Sequence, residues 1–240
     1  MSVTESISRS AARMAEAALD LVFPKRCYVC GRDGRYLCDA CRQELPSLHR
    51  PFCLLCAQPL QRALPYCRRC QEQPLHIDGI RSPYLMEGPV RNMVHALKYN
   101  GVRSLAQPVG DLLAQFALQE QLKADVVVPV PLHHRKERER GYNQSLLLAR
   151  ACSASMGVPV ADDALRRLRY TPPQARSADS EERRANVSNA FAAETTLVRG
   201  KRVLVLDDVC TTGATLEACA IALRDAGGTS VWGLTLAREA

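Results

Sequence analysis

No stretch of the 240-residue chain comes near the ~18 uninterrupted apolar residues that a membrane-spanning helix needs. The first residues, with Glu5, Arg9, Arg13 and Glu16 among them, also lack the long apolar run of an export signal. Residues 1–22 read instead as a short amphipathic helix, and the protein is expected in the cytoplasm. Up to about residue 75 aliphatic clusters are few and turn formers many, which excludes a conventional hydrophobic core there. The chain as a whole is 47% apolar, enough for an ordinary buried core elsewhere. The formal net charge of +7 suits a polyanionic ligand without demanding one.

The missing core has a substitute. Eight of the 11 cysteines fall between Cys27 and Cys70. With no export signal a disulfide framework is disfavoured, and clustered cysteines in a reducing compartment point to metal. Cys27-x2-Cys30 with Cys38-x2-Cys41 forms one set, and Cys53-x2-Cys56 with Cys67-x2-Cys70 repeats it. Each pair of knuckles offers four thiolates, the closed tetrahedral donor set of structural zinc. Short linkers favour this sequential pairing over a crossed one. The segment is also basic, with eight arginines from Arg26 to Arg69. Contact with nucleic acid would run through phosphates. Tyr28, Tyr36, Phe52 and Tyr66 either stack on single-stranded bases or pad a zinc-stapled core.

Beyond residue 76 the pattern changes. A strand is expected over 82–86, helices over 90–98 and 105–122, a buried strand over 124–131 and a helix over 143–156. A short strand is expected at 158–160, then strand 203–206, helix 213–226 and strand 230–237. Strands alternating with helices predict an α/β domain on a mainly parallel sheet, with ligands at the carboxyl ends of the strands.

The most informative run is VLVLDDVCTTGAT, Val203 to Thr215. Four aliphatics make a strand buried on both faces. It ends in Asp207 and Asp208, whose side chains alternate in direction and accept hydrogen bonds, as the hydroxyls of a ribose require. Thr211, Thr212, Gly213, Ala214 and Thr215 then turn into a helix whose open amides favour an anion. A phosphate cup beside diol-binding carboxylates describes ribose 5-phosphate. Upstream, LHHRKERERGYNQS follows a strand end and reads as a charged loop. Arg135, Lys136, Arg138, Arg140, Gly141 and Asn143 are its candidates for a pyrophosphate, with Asn143 suited to cap the next helix. The polar stretch 171–189 reads as a lid or as a solvated face, with Gln174, Arg183 and Asn186 as its candidate contacts.

The run Val203–Thr215 resembles the phosphoribosyl pyrophosphate signature of type I phosphoribosyltransferases along its whole length, Cys210 being the less usual residue. That resemblance implies that Asp207 and Asp208 bind the ribose hydroxyls and residues 211–215 the 5-phosphate, with magnesium held by the pyrophosphate and ribose oxygens. PVPLHHRKERERGYNQS, TPPQARSADSEERRANVSNAF and VRNMVHALKYNG with Lys98, together with the cysteine-rich start, resemble the ComF family of competence proteins. The expected organisation is a helix over 1–22, a double zinc ribbon over 23–75 and a phosphoribosyltransferase-like domain over 76–240. The resemblance implies a role in natural transformation, handling single-stranded DNA beside a competence helicase. No N-terminal cysteine or ammonia-generating domain supports an amidotransferase. Two readings stay open: an enzyme transferring the phosphoribosyl group to an unnamed acceptor, as in nucleotide salvage, and a module that binds the same ligand without turnover.

Overall fold

The computed structural model describes residues 25–73, 75–168 and 190–240. The helix expected over 1–22 and the segment bearing Gln174, Arg183 and Asn186 lie outside them. Two compact units divide between Leu45 and Pro46. The first unit is a ribbon whose turns are closed by the chain itself: Gly31 N donates to Cys27 O at 2.8 Å, and Tyr28 N to Tyr36 O at 2.9 Å. A single helical turn, α1 (Asp39–Gln43), carries Cys41 inward, where Cys27, Leu37 and Leu45 are also buried.

The second unit opens with the other cysteine set, which ends in α2 (Arg68–Glu72). Next come β1 (Gly79–Arg81), β2 (Tyr84–Leu85), α3 (Gly88–Tyr99), α4 (Ala106–Gln119) and β3 (Val126–Pro129). They are followed by α5 (His134–Arg140), α6 (Gln144–Met156), β4 (Leu165–Arg167), β5 (Phe191–Ala193) and α7 (Thr195–Val198). The unit finishes with β6 (Arg202–Cys210), α8 (Ala214–Asp225) and β7 (Ser230–Arg238).

The main sheet has the order β1-β7-β6-β3, with β2 continuing beside β7, and all these pairings are parallel. Val203–Leu206 at its centre are at most 2% exposed. Full burial of such side chains stabilises by about 1.5–3 kcal/mol each. Val203 and Val205 join the hydrophobic cluster that contains Leu216 and Cys219 of α8, and alternation turns Leu204 and Leu206 to the other face. Helix α6 packs against α4 so closely that a Cβ on Gly110 would lie 2.3 Å from that of Ala151.

Several expectations need correction. Of the strand expected over 82–86 only Tyr84–Leu85 (β2) is strand, and an unforeseen piece, Gly79–Arg81 (β1), precedes it; Pro83, which has no N–H for the ladder, lies in the gap between them. Ser82 instead shares a 2.6 Å hydrogen bond with Thr235. The charged loop after β3 is a helix, α5, with His133 accepting from Arg135 N at its start and Arg135 paired to Glu139 one turn on. Residues 158–160 supply only an isolated bridge, Val160 to Val127. The antiparallel pair β4–β5 has no counterpart in the sequence reading.

Candidate functional site

The site lies at the carboxyl end of β6. The strand runs through both acids to Cys210, and Gly213 then turns the chain into α8 with φ +80°. Only glycine adopts that conformation readily, and a Cβ there would meet Ile80 Cδ1 at 3.1 Å. Thr212 Oγ1 accepts from Ala214 N at 3.3 Å, while the following first-turn amides have no partner inside the helix. Thr211, Thr212, Ala214 and Thr215 are exposed, so their groups face solvent where an anion would sit. Cys210 is buried, which pushes its thiol up to about 11 and leaves it unreactive.

The two acids have different surroundings. Asp207 Oδ1 accepts from Ser145 Oγ at 2.7 Å and from Asp208 N at 2.9 Å. Burial, then the charge of Asp208, pushes its carboxyl up to about 7. Ser145 and Lys98 act in the opposite direction. Asp208 is 2% exposed, and Lys98 Nζ lies 3.0 Å from its Oδ2. The same oxygen has no aligned hydrogen-bond donor among the described residues. Lys98 therefore balances the charge and leaves the acceptor directionally open. Two carboxylates, one poised near neutrality and one with an open buried acceptor, can take the two hydroxyls of a diol.

The upstream candidates divide. Asn143 is a joint: its Nδ2 donates to Val130 O at 3.0 Å and its Oδ1 accepts from Ser145 N at 3.0 Å. It thereby fixes the start of α6 to the end of β3 and delivers Ser145 to Asp207. Gly141 closes α5 with φ +76°. Arg140 hydrogen-bonds Gln144 and lies 5.5 Å from the centre of the Tyr99 ring. Arg135, Lys136 and Arg138 are exposed on α5. Lys98 and Ser145 join the site beyond the residues expected from sequence. The signal for Lys98 was its place one residue after the buried face of an amphipathic helix, Val90, Met93, Val94 and Leu97. For Ser145 it was a hydroxyl at the second position after a capping asparagine.

In each cysteine set the four sulfurs lie within 4.8 Å of one another. Cys30 lies 3.7 Å from Cys38, and Cys56 3.7 Å from Cys67, sulfur to sulfur. Four sulfurs placed tetrahedrally about 2.3 Å from a zinc ion are about 3.8 Å apart, so the spacing fits. Within each set the thiols are pushed in opposite directions: burial raises Cys56 and Cys70, and hydrogen bonds from Cys30 and Cys38 raise Cys41, while one thiol per set is lowered. Burial works to raise Cys53, yet amides of Cys56, Cys67 and Leu55 outweigh it and bring the thiol down to about 7. Cys27 behaves alike: burial is outweighed by amides of Cys38, Cys30 and Val29, and it falls to about 6. Several arginines of the segment have internal partners: Arg26 with Asp33, Arg35 with Asp39, Arg68 with Glu72. Of its aromatics Tyr66 is exposed, whereas Tyr28, Tyr36 and Phe52 are half-buried.

A family model described as a double zinc ribbon domain matches residues 18–71, and one described as a phosphoribosyl transferase domain matches 142–239. "Competence protein F" of Haemophilus influenzae is 30% identical over 210 residues, covering 84% of this chain and 90% of its own. "DNA utilization protein YhgH" of Salmonella typhi is 30% identical over 218 residues, covering 82% and 95%. "Competence protein ComFC" of Bacillus subtilis is 28% identical over 211 residues, covering 85% and 84%. Among solved structures, the allosteric regulatory enzyme of purine biosynthesis aligns with 54% of this chain at 26% identity and a TM-score of 0.39. The alignment spans 25% of that enzyme's chain.

Proposed function

The chain belongs to the ComF family of competence proteins, and from that premise we propose that it binds phosphoribosyl pyrophosphate with magnesium and acts on single-stranded DNA during natural transformation. Asp207 and Asp208 accept from the ribose hydroxyls, and Thr211 to Thr215 hold the 5-phosphate. The pyrophosphate lies toward the segment from Arg135 to Asn143. Magnesium, carried on the pyrophosphate and ribose oxygens, supplies neutralising charge when bound. Residues 23–75 hold two zinc ions and present basic surface to DNA, while 76–240 carry the ligand site, in the cytoplasm and beside a helicase partner.

The observation that carries this reading is the pair of unlike acids at the end of β6, directly before an open, threonine-rich helix start. Ordinary strand-to-helix turns have no use for a buried acceptor left without an aligned donor. Adding phosphoribosyl pyrophosphate and magnesium should raise the melting temperature, by about 2.7 kcal/mol of added stability at a hundredfold excess over Kd. The double substitution Asp207→Asn with Asp208→Asn should remove the shift. A wild-type protein whose melting ignores the ligand refutes the reading. Release of pyrophosphate on adding bases, nucleotides or DNA separates an enzyme from a binding module.

A further inference from the structure

The two cysteine sets fall in different compact units, and only the second belongs to the unit that holds the site. Cys53, Cys56 and Cys70 are members of the same hydrophobic cluster as Ile77, Ile80, Cys210, Leu216 and Cys219. The backbone of this ribbon is bonded to the sheet as well. Ile80 N donates to Leu55 O at 2.7 Å, and Arg81 Nη1 donates to Leu54 O at 2.8 Å.

The closest tie is an arginine. Arg238, at the carboxyl end of β7 beside Cys210, is 2% exposed. Its Nε donates to Cys56 O at 3.0 Å and its Nη2 to the side chain of Gln58. Its Nη1 donates to Cys210 O at 3.0 Å, to Thr211 O, and to Glu239 O at 2.6 Å. One guanidinium thus grips the first turn of the phosphate loop with one edge and the Cys53–Cys56 knuckle with another. The second knuckle reaches the loop too, through Arg69 to Thr212 O.

Every one of these acceptors is neutral, and no carboxylate among the described residues forms an ion pair with Arg238. A buried cation in that position is costly unless a negative group lies near. A tetrathiolate zinc centre would carry a formal charge of about −2, and Cys56, the carbonyl partner of Arg238, would be one of its ligands.

We propose that the second cysteine set is the foundation of the phosphate loop, with Arg238 as the positioning residue between them. Residues 211–215 keep their anion-binding shape only while Cys53, Cys56, Cys67 and Cys70 are closed around metal. The first set has no part in this. The inference rests on the loop being the phosphate site named above, and it assigns the two metal sites different duties.

The test compares full-length proteins: wild type, Cys30→Ser with Cys41→Ser, Cys67→Ser with Cys70→Ser, Arg238→Lys and Arg69→Ala. Metal content, amide hydrogen exchange of a peptide spanning 207–218, and binding of phosphoribosyl pyrophosphate with magnesium are read for each. Each cysteine pair should cost one zinc. Only the second should speed exchange in the loop, by about tenfold or more, and weaken the ligand to match. Arg238→Lys keeps the charge but loses the planar fork, so it should loosen the loop while both zincs stay bound. Arg69→Ala, on the surface, should loosen it by about twofold to fivefold with global stability unchanged. Loop exchange indifferent to the second pair, or equally disturbed by both pairs, overturns the proposal. A wild type that binds no ligand yet shows the coupled exchange would refute the phosphoribosyl reading and leave the coupling standing.

Discussion

Replacing Asp207 by asparagine should make the protein more stable than wild type at alkaline pH and remove that advantage in mild acid. The carboxyl is pushed up to about 7 from an ordinary 3.8 by burial and then by Asp208. Between those values the folded protein holds a proton that the unfolded chain has released. Stability from this group is therefore complete below about pH 4, falls as pH rises to about 7, and is level above. Each pH unit inside the window is worth about 1.4 kcal/mol, so the wild type loses about 3 kcal/mol between about pH 5 and pH 8. Asparagine has no proton to lose, and its amide oxygen keeps the Ser145 hydrogen bond. The stability difference, variant minus wild type, should thus grow by about 3 kcal/mol over that range. For a domain of this size it corresponds to about 6–12 °C in Tm. Urea denaturation of both zinc-replete proteins at several pH values gives the difference directly, because titrating groups remote from the Asp207–Asp208 pair cancel to first order. A difference that stays constant with pH refutes the assignment of Asp207 as a carboxyl held protonated by its surroundings.

Lys98→Met should destabilise by about 3 kcal/mol, since it strands the buried Asp208 charge. Lys98 also holds Asp207 down, so the pH window above should extend upward, visible in the same denaturation series. Gly213→Ala should cost about 1–2 kcal/mol and abolish ligand-induced stabilisation, because the left-handed turn and the contact with Ile80 both resist a side chain. Binding to single-stranded DNA should weaken by about tenfold or more between 50 and 200 mM salt, measured by fluorescence anisotropy. Binding that ignores salt would remove the phosphate contacts from the model of DNA handling.

The phosphate loop was legible because everything it needs is contiguous: buried strand, two acids, small hydroxyl-bearing turn and helix start, all within Val203–Thr215. The cysteine sets were legible for the same reason, each knuckle being two residues wide. Helix α5 was not, because His134–Arg140 buries nothing and so shows no apolar period; it is held by a cap and an i,i+4 ion pair that also suit a loop. The break at Pro83 was readable in principle, but the aliphatic pattern around it outweighed one residue. Arg238 could not be read at all. Its partner Cys56 lies 182 residues earlier in the chain. Nothing local distinguishes an arginine at a strand end that turns inward from one that faces water. Ser145 and Lys98 fall between these cases, each placed by a helix that was foreseen yet given its purpose by a distant strand.

The strand order has a consequence for how the molecule is made. β7 is the hydrogen-bonding partner of β1, β2 and β6, and it follows every other strand in the chain. Gly79 pairs with Trp232, so the β1 edge waits through the synthesis of some 150 residues for its neighbour. The knuckle cysteines, close in sequence, can capture metal as soon as they emerge from the ribosome. Assembly is therefore expected to run from a metal-stapled start to a sheet that closes late. In the interval the β1 edge is uncovered, the stage at which aggregation or chaperone capture competes. A pulse-labelling experiment on nascent chains would find protection arriving at the ribbons first and at β1 only after β7.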